Sequence, residues 1–305
     1  MKRMTTFSAF IRLILLALLM LIAAGCGAQA APAGPPPQFD TGIDVNAWAE
    51  IPAGEFLMGL HNHETPLDYD FEMMITDVTN QQFADFLNDA LVDGSVSMGE
   101  AGVMGYYPGD TFRGHKHERE IKEGDWLLFP VGHPDARIRQ ESGAFAVSPG
   151  YENHPATMVT WFGARAYCRY YGWRLPLEDE WEKAARGEEG RAFPWGDDIE
   201  PVNANYYKSG DPFEQPGRVG DTTPAGFYNG KVYDGYQTMN SPSPYGLYDM
   251  AGNVWQWTGG VHPDTHLRYL KGGSFMDYAY NLRSWTRNSA SPDHYSISIG
   301  FRCAR

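Results

Sequence analysis

YGLYDMAGNVWQWTGG at residues 245–260 and LRYLKGGSFMDYAYNLRSWTRNSASPDHYSISIGFRCAR at 267–305 decide how the rest of the chain is read. Glycines 246, 252, 259, 260, 272, 273 and 300 mark tight turns or close backbone approach. Trp255 and Trp257 are two apart, so a strand would point both to one face. Arg283 and Arg287 are four apart, which suits either one face of a helical turn or a ladder of planar donors.

Working outward, related signals precede this stretch: IPAGEFLMG (51–59), DVTNQQFADFLN (77–88), HPATMVTWFGARAYCRYYGWRLPLEDEWEKAARG (154–187) and FPWGDD (193–198). With GLYDMAGNVWQW, KGGSF and GFRCAR, in this order, they resemble the formylglycine-generating enzyme family, also called sulfatase-modifying factor domains. The resemblance runs from about residue 46 to the end. It implies an α+β, loop-rich, C-type-lectin-like fold.

The chain has 305 residues and a net charge of -14, with no run rich in Lys or Arg, which argues against nucleic acid as a partner. Gly 34, Pro 21, Tyr 18 and Trp 9 suit a well-packed globule with many loops.

Lys2 and Arg3 precede an apolar run, Phe10 to Ala24, too short for a comfortable membrane span. It ends in Ala23-Ala24-Gly25-Cys26, which looks like a bacterial lipoprotein signal with Cys26 as the lipidated residue; Ala23 departs from the usual Leu. The alternative is a plain secretory signal. The expected organisation is a signal peptide at 1–25, Cys26 and a Pro/Ala-rich tether at 26–38, and one domain at 39–305. Such a chain is extracytoplasmic, anchored by lipid to a bacterial membrane at the periplasm or cell surface, in a disulfide-permissive compartment. Cys168 and Cys303 then remain, as a pair or as two buried thiols. The resemblance implies the disulfide Cys168–Cys303.

Trp48 to Leu60 alternates like a strand. Thr79 and Gln82 form a capping box, Val78 and Phe83 a hydrophobic staple, and Phe83, Phe86, Leu87, Ala90 and Leu91 one apolar helix face. Residues 93–150 are polar, Gly-rich and aperiodic, and read as long inserted loops. They hold His115 and His117, which echo His61 and His63; together these four could hold iron or copper, or be solvated loop histidines. Thr160 caps a helix over 161–171, and another spans 178–186 with a Glu182–Arg186 pair and Gly187 as terminator. Glu178, Asp179, Glu180 and Glu182 fit the positive end of that helix's dipole. From 194 to 243 the chain is mostly turns, which a calcium ion would tie down.

The resemblance implies two calcium sites. One uses the Asn205 side chain and the Tyr206 carbonyl, completed by Asp211 or Asp221. The other uses Asp249, the carbonyls of Gly252 and Val254, and the amide oxygen of Gln256, where the family usually has Glu. The family's copper(I) centre needs two cysteines after GGS. This sequence has Asp277 at the first position and no cysteine through Leu282, and a hard carboxylate does not replace a soft thiolate. Copper or iron is therefore not expected as the working cofactor, and calcium is. The family's substrate groove maps onto Asp277, Tyr278, Tyr280, Asn281, Arg283, Trp285, Arg287, Asn288 and His294, whose aromatic faces and Arg forks suit peptide, protein or glycan ligands. The expected function is a membrane-anchored binding or accessory module, a pseudoenzyme. The alternative is an oxidase or oxygenase with a His-based iron or copper site.

Overall fold

The computed structural model describes residues 34–110, 120–214, 220–262 and 265–305. The unit from Pro37 to Arg305 contains all the elements that follow. Its first strands are β1 (Trp48–Ile51), β2 (Gly54–Met58), β3 (His63–Leu67) and β4 (Phe71–Met74), followed by helix α1 (Asn80–Asp93). Next come β5 (Val96–Gly99), β6 (Gly102–Tyr107), β7 (Gly124–Phe129), β8 (Ile138–Glu141) and β9 (Ala144–Val147), then α2 (Trp161–Tyr170) and α3 (Glu178–Arg186). The rest holds β10 (Val232–Tyr233), β11 (Tyr236–Gln237), β12 (Trp255–Val261), β13 (Arg268–Lys271), a 3-10 turn (Ala279–Leu282), β14 (Arg287–Ala290) and β15 (Ile299–Gly300). The mixed α/β, loop-rich architecture is the expected one.

The C-terminal stretch builds the largest sheet among the described residues, in the order β14-β13-β12-β15. β12 runs antiparallel to β13 and parallel to β15, and Trp255 lies opposite Ile299. Trp255 and Trp257 are both buried, as their spacing required. The last residues are tied to the first strands: Met74 N–H donates to the Cys303 carbonyl at 3.0 Å, and Glu72 and Arg305 exchange two backbone bonds of 2.9 Å. Ala304 also bridges Arg174, so the tail lies between β4 and the segment before α3. Cys168 of α2 is bonded to Cys303, with Cα atoms 5.7 Å apart.

α1 forms where the local chemistry says it should. Thr79 Oγ1 accepts from Gln82 N–H, the Gln82 side chain accepts from Thr79 N–H, and Gly94 ends the helix at φ 82°. Phe83 then packs at 5.5–6.0 Å from Phe86, Phe129, Tyr167 and Phe301, joining α1, β7, α2 and the tail in one aromatic core. Thr160 caps α2 by accepting from Gly163 N–H.

Four expectations are corrected. The strand over 48–60 is two strands, β1 and β2, parted at Pro52-Ala53, because Pro cannot donate to a ladder and Ala53 N–H turns to Asp70 at 2.7 Å. Residues 93–150 are not simply loops: β5-β6-β7 form a three-stranded antiparallel sheet and β8-β9 a hairpin. Gly102 at φ 139° and Gly105 sit where a Cβ would strike Phe129 and Leu128, so the glycines that looked like loop signals allow strands to pack closely. Arg283 and Arg287 share no helical face: Arg283 follows the 3-10 turn and Arg287 begins β14. Finally, the charges of α3 do more than meet a dipole, since Glu180, Glu182, Lys183 and Arg186 are all buried.

Candidate functional site

The groove residues are spread over two neighbouring surfaces. Asp277 is held in place: Oδ2 accepts from Trp255 Nε1 at 2.8 Å and Ser274 Oγ at 2.5 Å, and Oδ1 accepts from Asn281 Nδ2 at 2.9 Å. Its carbonyl accepts from Tyr207 N–H at 2.8 Å. This half-buried network fixes the turn after Gly272-Gly273, where a Cβ on Gly273 would meet Leu282 at 2.8 Å. Tyr278 and Tyr280 then project outward, 60% and 59% exposed. Their rings are nearly parallel at 6.4 Å, and Tyr207 meets Tyr278 edge-on at 5.0 Å. These aromatic faces are left in water and take no part in the core.

The second surface is a cavity of about 340 Å³ lined by Met58, His63, Glu178, Glu182, Trp285 and Arg287. The Trp285 ring lies 5.1 Å from the Arg186 guanidinium and 5.8 Å from that of Arg283. Arg287 donates to Glu178 at 3.2 Å and its guanidinium lies 4.8 Å over Tyr269. Beneath them Glu182 accepts from Lys271 Nζ and Arg186 Nη1, each at 3.0 Å, and from Gly59 N–H at 2.5 Å. Burial pulls the Lys271 ammonium below its ordinary range, against the pull of Glu182. Arg186 also donates to Gly59 O, Arg191 O, Gly190 O and Asn62 Oδ1, so it clamps the loop after β2 against α3. The sequence reading missed Lys271. The i,i+4 spacing gives the Glu182–Arg186 pair, but no local signal brings Lys271 from another element. Asn288 and His294 are exposed and lie outside this cavity's lining.

His61 and His63 lie with ring centroids 6.2 Å apart. His115 and His117 fall outside the described residues, among which no group of three or more His, Cys, Asp or Glu side chains gathers at metal-binding range.

The two calcium positions differ in their fit. At the first, Asn205 Nδ2 donates to the Asp221 carbonyl at 2.8 Å, and the Tyr206 carbonyl accepts from Ser209 N–H at 3.0 Å. The Asp221 carboxylate is engaged by Arg137 at 2.9 Å and Tyr151 at 2.6 Å, a cationic setting that does not suit a calcium ligand. Asp211 is linked to Tyr206 through Ser209, whose hydroxyl donates to it at 2.7 Å. The Asp211 carboxylate also accepts from Tyr228 OH at 3.0 Å and Phe213 N–H at 2.8 Å; burial raises its pKa, and no ion pair neutralises it among the described residues. Of the two candidate carboxylates, Asp211, which has no cationic partner among the described residues, suits the ion better than Asp221.

The second position does not fit. Gln256 Oε1 accepts from Trp181 Nε1 at 2.7 Å and Arg302 Nε at 2.8 Å, which fills the amide oxygen's two lone pairs. Its Nε2 donates to the Asp249 carbonyl at 2.8 Å. Asp249 Oδ2 accepts from Gly226 N–H at 2.7 Å, and Gly252, at φ 83°, lets the backbone pass Asn205, where a Cβ would meet the carbonyl at 2.4 Å. Arg302 also reaches the carbonyls of Met74 and Tyr248 and lies 3.5 Å from Asp77. A guanidinium and a neutral amide thus cross-link β12, β4 and the tail at the place the resemblance assigned to a cation.

Comparison with known proteins agrees with this architecture. Residues 36–305 match the family profile described as the sulfatase-modifying factor enzyme 1-like domain. The inactive C-alpha-formylglycine-generating enzyme 2 of Bos taurus is 32% identical over 285 residues, covering 88% of this chain and 90% of the relative. The formylglycine-generating enzyme of Streptomyces coelicolor is 31% identical over 334 residues, covering 93% and 96%. Among solved structures, PvdO from Pseudomonas aeruginosa aligns with a TM-score of 0.52 at 22% identity, covering 90% of this chain and 99% of that one. CarF aligns with a TM-score of 0.54 at 20% identity, covering 85% and 97%. These two alignments bear on fold alone. The ordered motifs, the profile match and the relatives at this identity show that the chain belongs to the sulfatase-modifying factor enzyme 1-like family.

Proposed function

We propose that this protein is a lipid-anchored, extracytoplasmic member of its family that binds a peptide, protein or glycan ligand and does not generate formylglycine with copper. The observation that carries the reading is Asp277. It stands at the position of the family's first catalytic cysteine, and both its oxygens are taken up by Trp255, Ser274 and Asn281. Residues 274–290 contain no cysteine, and Cys168 and Cys303 are bonded to each other. A copper centre made of two thiolates does not fit these residues. The similarity to relatives named as inactive supports the same reading. The exposed Tyr278 and Tyr280 and the Trp285–Arg287 cavity supply the surface for ligand, and calcium at Asn205, Tyr206 and Asp211 would brace the loop beneath Tyr207.

The test is incubation of the purified chain with a cysteine-containing sulfatase peptide, copper(I) and oxygen, followed by hydrazide capture and mass spectrometry. No peptide aldehyde is expected; an aldehyde formed with turnover would overturn the proposal. The anchor is tested separately. Cys26→Ala is expected to move the chain from the membrane to the soluble fraction, and unchanged membrane association would remove lipidation from the reading.

A further inference from the structure

A larger cavity, sharing no lining residue with the Trp285–Arg287 cavity, lies beside α2. It has a volume of about 480 Å³ and is lined by Tyr107, Trp161, Arg165, Arg169, Trp173 and Arg174, among others. Arg165 and Arg169 are one helical turn apart and point to one side of α2.

The charges do not balance. Arg174 is neutralised by Glu180 through bonds of 2.6 and 2.7 Å. Arg268, packed under Trp161 at 4.2 Å, is neutralised by Asp110 through two bonds of 2.8 Å. Arg165 and Arg169 have no carboxylate partner among the described residues. Arg165 lies instead over aromatic faces, 4.9 Å from the centre of Tyr107 and 5.9 Å from that of Trp161. Burial and the neighbouring Arg169 both work against its charge. Asp110 and Tyr107 support the Arg165 charge from a distance, but in a chain of net charge -14 two guanidinium forks that face one cavity and form no ion pair among the described residues are unexpected as packing. The walls are flat and apolar, and the rim carries Leu177 and Val261, each 41% exposed.

We infer that this cavity binds a small organic anion, with its carboxylate, sulfate or phosphate held by Arg165 and Arg169 and a flat or cyclic body against Trp173 and the apolar rim. Guanidinium forks match the oxygens of such groups in pairs, and the aromatic walls take the apolar face of a ring. The site is separate from the Tyr278–Trp285 surface, so it stands or falls apart from the proposed function.

The experiment is calorimetric titration of the full chain in detergent with phenyl sulfate, phenyl phosphate, glucuronate and inorganic sulfate, at low and high salt. An organic anion is expected to bind more tightly than inorganic sulfate and to weaken with salt. Phenyl sulfate or phenyl phosphate as the best probe would indicate an aromatic body, and glucuronate an acidic sugar. Arg165→Gln is expected to weaken the best probe about tenfold to a hundredfold, the range for one charge-assisted contact. Arg169→Glu changes an exposed residue, leaves the core intact and is expected to abolish binding. Tyr278→Ala should leave binding unchanged. If no probe binds above inorganic sulfate, or if Arg169→Glu binds as well as the natural chain, the inference is overturned.

Discussion

Glu182→Gln tests whether the floor of the groove cavity is held by charge. Glu182 is 1% exposed and Lys271 and Arg186 are fully buried. Each cation lies 3.0 Å from a different oxygen of the carboxylate. At an effective dielectric near 20, each contact is worth about 5 kcal/mol before the cost of leaving water. Desolvation offsets much of that gain, but it is not recovered when only the anion is removed. The variant leaves two buried cations facing one amide, at an expected loss of about 3–5 kcal/mol. In a domain whose net stability is about 5–15 kcal/mol, that is a large fraction. The assay is urea unfolding at pH 7 followed by circular dichroism, for Glu182→Gln, Lys271→Met and the double variant. Lys271→Met should also destabilise. The double variant should lose clearly less than the sum, because removing Lys271 as well leaves one buried cation, Arg186, without its carboxylate instead of two. The Trp285 emission should shift in Glu182→Gln, since Arg186 supports its ring. A loss under about 1 kcal/mol in Glu182→Gln, or strict additivity in the double variant, would refute the claim that the pairs act as one unit.

Removing the disulfide by Cys168→Ser with Cys303→Ser opens a loop of 135 residues and is expected to cost about 5 kcal/mol in the chain-entropy account, read as a lowered thermal midpoint that reductant no longer shifts. Burial pushes Asp77 up to about 8, against Arg302, and Asp249 up to about 6. A raised carboxyl stabilises the fold while protonated, fully below about pH 4, and that contribution is lost as pH rises through about 8. The urea midpoint should therefore fall between pH 5.5 and 8.5, and Asp77→Asn should flatten the fall. Calcium added after chelation should raise the melting temperature, and Asn205→Ala should remove that response while Gln256→Ala, although destabilising, keeps it. Thr79→Ala breaks the capping box of α1 and should cost about 1 kcal/mol in the same unfolding assay.

The parts legible in the sequence are those fixed by neighbours along the chain. Thr79 with Gln82, Thr160 as a cap and Gly187 as terminator act within one turn, so three helices could be read directly, while Gly94 as the end of α1 and Leu177 at the start of α3 were not. The order of motifs carried the fold and the pairing of Cys168 with Cys303, because a family pattern records contacts that local chemistry does not. Residues 93–150 misled because their glycines serve close strand packing, which depends on Phe129 and Leu128 of the partner strand β7.

Tertiary structure alone decided what the polar residues do. The acidic start of α3 suited a dipole, yet Glu182 is buried because Lys271 arrives from β13 and Gly59 from the loop after β2. The resemblance assigned Gln256 to a cation, and Arg302, forty-six residues on, occupies its amide oxygen instead. Nothing in the sequence singled out Arg165 and Arg169; the fold placed Tyr107 and Trp173 around them with no carboxylate in ion-pair contact among the described residues. The sequence by itself determined the family, the caps and the covalent bridge. Which charges are neutralised, and which face a cavity without a partner, was set by the fold, because a long-range ion pair depends on where distant backbone comes to lie and no local pattern encodes that.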